Sequence, residues 1–125
     1  MIARIQPTQV KTWLQTTAAE AAATTEGQST TAALPLLLDV REPWEFQTAS
    51  VTPDGYTLVQ MPMRSIPARL QELDPEQPIA CLCHHGARSA QVAYFLAQQG
   101  FSRVANVEGG IEAWSLQVDP SVPRY

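Results

Sequence analysis

Every position of Pro78-Ile79-Ala80-Cys81-Leu82-Cys83 is apolar, and an unbroken run of that kind is not a strand with one face in water. A half-exposed strand alternates apolar and polar residues, whereas a strand buried on both faces does not. Short strands of this buried or half-buried type are expected near Ala3 to Gln6, Leu34 to Val40, Leu58 to Met61 and Arg103 to Val107. Helical spacing falls between them, near Thr8 to Leu14, Ser65 to Leu73, Ser89 to Gln99 and Ile111 to Leu116. The alternation predicts an α/β fold, an open parallel sheet of about five strands with helices on both faces.

A length of 125 residues with 45% hydrophobic content accommodates one domain, residues 1 to 125, and no second one. Two stretches do not fit the strand and helix pattern. The Ala/Thr-rich segment 16 to 33 reads as a helix fading into a flexible insertion, because Thr24 to Thr31 is polar and unpatterned. The tail 117 to 125, with Pro120 and Pro123, reads as an extended surface segment. A formal net charge of −4, a single lysine and no basic run leave no electrostatic footprint for nucleic acid or a membrane surface. No apolar stretch reaches the length of a membrane span, and the opening Met1 to Gln6 lacks the apolar region of a secretory signal.

The chemistry-bearing residues gather where the apolar strand meets a helix. Cys83-His84-His85-Gly86-Ala87-Arg88-Ser89 holds a cysteine, both histidines of the chain and an arginine. A sulfur at a helix N-terminus meets unpaired N–H groups and the positive end of the helix dipole, which favour the reactive thiolate. Arg88 adds a permanent cation, and Gly86 lets the loop curl around an anion. Either histidine can hold charge near the sulfur or hydrogen-bond a substrate. A free cysteine can equally be a small core hydrophobe, and the loop around Cys83 is what separates the two readings. Cys81 is discounted as a disulfide partner, since residues two apart on a strand are too far apart to bridge. Zinc-type ligand spacing is absent as well, so no metal is expected, and nucleophilic thiol chemistry of this kind calls for no cofactor.

Three motifs in order, Asp39-Val40-Arg41-Glu42-Pro43-Trp44-Glu45-Phe46, the Cys83 loop, and Asn106-Val107-Glu108-Gly109-Gly110-Ile111-Glu112-Ala113-Trp114, resemble those of single-domain rhodaneses. The resemblance covers about Leu36 to Trp114 and implies a rhodanese-like fold. It further implies a sulfurtransferase of the thiosulfate:cyanide type, which moves a sulfane sulfur to a thiol or cyanide through a persulfide on Cys83. His84, His85, Gly86, Ala87, Arg88 and Ser89 would then bind the donor. Asp39 and Arg41 would brace the neighbouring loop, and Arg64 would offer a second anion contact. The partners implied are a small anionic sulfur donor and a thiol or protein acceptor, in a reducing cytoplasm.

The family's usual Gly-His-Ile-Pro-Gly-Ala segment is replaced by Gln47 to Tyr56, beside the expected donor pocket. Four residues separate Cys83 from Arg88; cysteine phosphatases and arsenate reductases of related fold use a loop one residue longer, which suits a tetrahedral oxyanion. The remaining alternative is a non-catalytic rhodanese-like binding or persulfide-carrier module serving a protein partner.

Overall fold

The computed structural model describes residues 2–24 and 34–125. Among these, five strands form one parallel sheet: β1 (Ala3–Ile5), β2 (Leu36–Asp39), β3 (Thr57–Gln60), β4 (Ile79–Leu82) and β5 (Val104–Val107), in the order β1-β5-β4-β2-β3. The helices are α1 (Val10–Thr24), α2 (Pro43–Thr48), α3 (Ala87–Gln98) and α4 (Gly110–Gln117). The central strands β2, β4 and β5 are buried at every position, and this two-sided burial is why their sequences run apolar without alternation.

The two-residue period of the strands sorts the core into two layers. Leu36, Leu38, Ile79, Cys81 and Cys83 face α3 through Val92, Ala93 and Leu96. Leu37, Ala80, Leu82, Ala105 and Val107 face α1 and α4 through Val10, Leu14, Ile111 and Trp114. The register pairs Asp39 with Leu82, and the Val40 N–H donates to the Leu82 carbonyl at 2.9 Å. The exits of β2 and β4 therefore lie side by side at the carboxyl edge of the sheet, where parallel sheets place their ligands.

Four elements differ from expectation. α1 continues through the alanines to Thr24, because alanine is the strongest helix former; residues 25–33 of the expected insertion lie outside the described residues. The helix expected over Ser65 to Leu73 is instead two 3-10 turns, Met63–Ser65 and Pro67–Glu72. The break lies at Arg69, which leaves helical geometry at φ −110° and ψ 15°. α2 was not among the expected helices, although Pro43 at its first turn and the Glu42 N–H donating to the Glu45 carboxylate at 3.0 Å are start signals. Finally, the tail does not simply run along the surface: Val122 is 4% exposed within the α1/α4 layer, and its carbonyl accepts the Ser115 hydroxyl at 2.7 Å.

Candidate active site

Cys83 follows the last residue of β4 and is 1% exposed. Its Sγ accepts the Gly86 N–H at 3.0 Å and lies 3.3 Å from the Ser89 hydroxyl. Gly86 caps α3 at φ +109°, a left-handed backbone that turns its N–H back onto the sulfur and that side-chain-bearing residues avoid. The Ser89 hydroxyl has one proton and a nearer acceptor in Asn106 Oδ1, at 2.5 Å. It therefore donates to Asn106 while Cys83 is a thiol and is placed to turn to the sulfur once that carries charge. Asn106 is fixed in turn by donating Nδ2 to the Gly86 carbonyl at 3.1 Å and to Glu108 at 3.2 Å.

α4 closes the other side of the loop. The Ile111 N–H donates to the Cys83 carbonyl at 2.8 Å and the Glu112 N–H to the His84 carbonyl at 3.2 Å. A helix N-terminus is thereby satisfied by the loop backbone, which fixes Cys83 from its main chain. The approach requires glycine: a Cβ at Gly110, where φ is +61°, would overlap the carbonyls of Cys83 and His84.

Beneath the loop, Arg41 is fully buried. Its guanidinium donates to Asp39 at 2.6 and 2.8 Å, to the Ala49 carbonyl at 2.7 Å, to the Glu45 carbonyl at 3.1 Å and to the Tyr125 hydroxyl at 2.8 Å. Asp39 and Arg41 are thus brought together, but what they brace directly is α2 and the tail. Glu45 carries the connection to the Cys83 loop. Buried at 2% exposure, it receives both arms of Arg88 at 2.7 and 2.9 Å and the Tyr125 hydroxyl at 2.6 Å. The Arg88 hydrogen bonds, against the opposing effect of burial, hold its carboxyl down at about 2. Arg88 accordingly spends its fork on Glu45, because a buried carboxylate without a cation is costly. Its charge still lies near Cys83, and a third of the side chain stays exposed.

His84 is the middle ring of a three-ring stack, with His85 at 3.9 Å and 21° and Tyr125 at 3.9 Å and 12°. Burial, and the neighbouring His85, push its imidazole toward the neutral form. His84, His85 and Glu112 each place one potential ligand atom within 4.8 Å of the others. The Glu112 carboxylate is already paired with Arg124, outside the cluster, at 2.8 and 3.0 Å, which neutralises its one anionic member. Ala87 opens α3 on the exposed side of the loop. Arg64 sits exposed in the 3-10 turn Met63–Ser65, and no polar contact among the described residues ties it to Cys83. Cys81 is fully buried, and burial together with the Cys83 charge pushes its thiol strongly toward the protonated form.

Sequence reasoning quoted Glu45 and Asn106 within motifs without giving them a role, and passed over Tyr125. Glu45 had a readable signal, its place three residues after Glu42 at a proline-started helix. Asn106 and Tyr125 had none, since their partners come from distant segments.

The rhodanese-like domain model matches residues 17–117. A sulfurtransferase of Allochromatium vinosum is 41% identical over 87 residues, spanning 70% of this chain and 78% of that protein. A chloroplastic rhodanese-like/PpiC domain-containing protein of Arabidopsis thaliana is 45% identical over 93 residues, which is 71% of this chain but only 30% of that protein. Among solved structures, the polysulfide-sulfur transferase homodimer of Wolinella succinogenes superposes with a TM-score of 0.66 at 26% identity, covering 93% of this chain and 74% of that one.

Proposed function

The chain belongs to the rhodanese-like domain family, and from that membership we propose that it is a sulfurtransferase whose sulfur carrier is Cys83. The observation that carries the reading is the sulfur itself, held at the β4/α3 turn with the Gly86 N–H at 3.0 Å and the Ser89 hydroxyl at 3.3 Å. The Gly86 N–H is a donor aimed at that atom, and the Ser89 hydroxyl is placed to become a second once the sulfur turns negative.

In the first half-reaction the Cys83 thiolate attacks the outer sulfur of a donor such as thiosulfate. A sulfur–sulfur bond forms to Cys83, the donor's own sulfur–sulfur bond breaks, and sulfite leaves with the electron pair. In the second, a thiolate or cyanide attacks the outer sulfur of the persulfide and returns Cys83 as thiolate. Both steps balance without a redox cofactor. The Gly86 N–H and Ser89 hydroxyl stabilise the thiolate before and after transfer. The Arg88 guanidinium, a third exposed while paired with Glu45, supplies positive charge for the donor's sulfonate, and His85, exposed at the loop, a hydrogen-bonding group. The acceptor is a small thiol or a protein thiol in a reducing compartment, where a working thiolate is kept from oxidation.

Intact mass of the protein before and after thiosulfate tests the reading, with Cys83→Ser as control. The expected result is one added sulfur on the wild type, removed by cyanide or a thiol, and none on the variant. Absence of added sulfur on the wild type refutes it for this donor, and sulfur added to the Cys83→Ser chain moves the carrier to Cys81.

A further inference from the structure

Sulfur chemistry at Cys83 requires that two different reactants reach one atom, yet that atom lies in a side chain only 1% exposed. The residues that touch the loop from the α1/α4 side include a tail segment the chemistry does not use. Val122 is rooted in the core, with its carbonyl on Ser115. Beyond it, Arg124 pairs with Glu112, whose own N–H holds the His84 carbonyl. Tyr125 lies flat on the His84 ring, meets the edge of Trp44 at 5.8 Å and 78°, and joins its hydroxyl to Glu45 and Arg41. Three of these contacts reach the Cys83 loop: His84 is part of it, Glu112 holds the His84 carbonyl, and Glu45 holds Arg88.

Two observations indicate that this arrangement is made to release. The His84 Nε2 is buried and has no hydrogen-bond partner; a buried polar nitrogen in that state is better satisfied once water reaches it. The Arg124 side chain is also 57% exposed, so its pairing exchanges readily with solvent. We propose that Pro123–Tyr125 is a strap over the Cys83 loop, hinged at Val122, that lifts to admit the sulfur donor and acceptor and settles back onto His84 to shelter the sulfur between half-reactions. The proposal rests on Cys83 being the sulfur carrier.

The test is the rate at which iodoacetamide alkylates Cys83 in the reduced protein, with the site assigned by peptide mass and Cys81 as internal reference. Tyr125→Ala removes the stack and the hydroxyl bonds, and it is expected to speed alkylation of Cys83 roughly tenfold or more by raising the open population. Tyr125→Phe keeps the ring and is expected to fall between. Arg124→Ala, which leaves the stack in place, is expected to give a several-fold increase and serves if the alanine variant at 125 does not fold. Cys81 is to stay unreactive throughout, and a persulfide loaded from thiosulfate is to be lost faster to added thiol in the Tyr125→Ala protein. Equal Cys83 rates in wild type and all three variants overturn the strap, as does parallel acceleration at Cys81, which would mark general loosening. Faster alkylation with no sulfur uptake by any form refutes the carrier reading and leaves the strap standing; sulfur uptake with unchanged alkylation does the reverse.

Discussion

Replacing Glu45 by glutamine keeps its size and an acceptor oxygen but removes the charge that Arg88 grips. The carboxyl falls from an ordinary 4.5 to about 2 in the folded chain, chiefly through the Arg88 hydrogen bonds. At 1.36 kcal/mol per pH unit that depression corresponds to about 3 kcal/mol of folded-state stability at neutral pH. Arg88 is 34% exposed, so solvent screening reduces the expected loss to about 1–2 kcal/mol. The sign follows from the direction: the unfolded chain binds the Glu45 proton more readily, so the stabilisation is complete above pH 4.5 and disappears as pH falls toward 2. Urea unfolding of wild type and Glu45→Gln at a series of pH values measures it. The variant is expected to be less stable at pH 7 by about 1–2 kcal/mol and the gap to close between pH 4.5 and 2. A gap that stays constant across that window, or widens on acidification, refutes the assignment of the stabilisation to the Glu45 charge.

Arg41→Met strands the buried Asp39 carboxylate, and a loss of about 3–5 kcal/mol or failure to fold is expected, read by chemical denaturation. Gly110→Ala forces a side chain against the Cys83 and His84 carbonyls at a left-handed backbone; a loss of about 2 kcal/mol or more is expected, read as a lowered thermal midpoint. Ser89→Ala leaves the buried Asn106 carbonyl oxygen without its 2.5 Å donor and removes one donor from the sulfur. About 1–3 kcal/mol of stability and roughly tenfold in the rate of sulfur loading are expected to go, checked by denaturation and by timed intact mass.

The sheet was legible because its signals are local. Apolar continuity in Leu36–Leu38 and Ile79–Leu82 reports burial on both faces, and that burial admits few architectures besides a covered parallel sheet. The Cys83 loop was legible for the same reason: the strand, the glycine and the helix start adjoin in sequence, and together they place a sulfur at a helix N-terminus. The break at Arg69 that turns the segment after Met63 into 3-10 turns has no such local signal, since Pro67 at a first turn suits either helix type.

Within the site, the sequence alone determined that Cys83 sits in a strand-to-helix turn at the carboxyl edge of the sheet. The tertiary structure decided which charge answers which. Arg88 stands five residues after Cys83 in the chain but gives its fork to Glu45, 43 residues away, and Tyr125 reaches Glu45 from 80 residues away. These pairings arise because the buried Glu45 carboxylate must find a cation and hydrogen-bond donors, whatever their separation along the chain. Local pattern records whether a residue is buried or turns the backbone; it does not record which distant partner the folded chain brings to it.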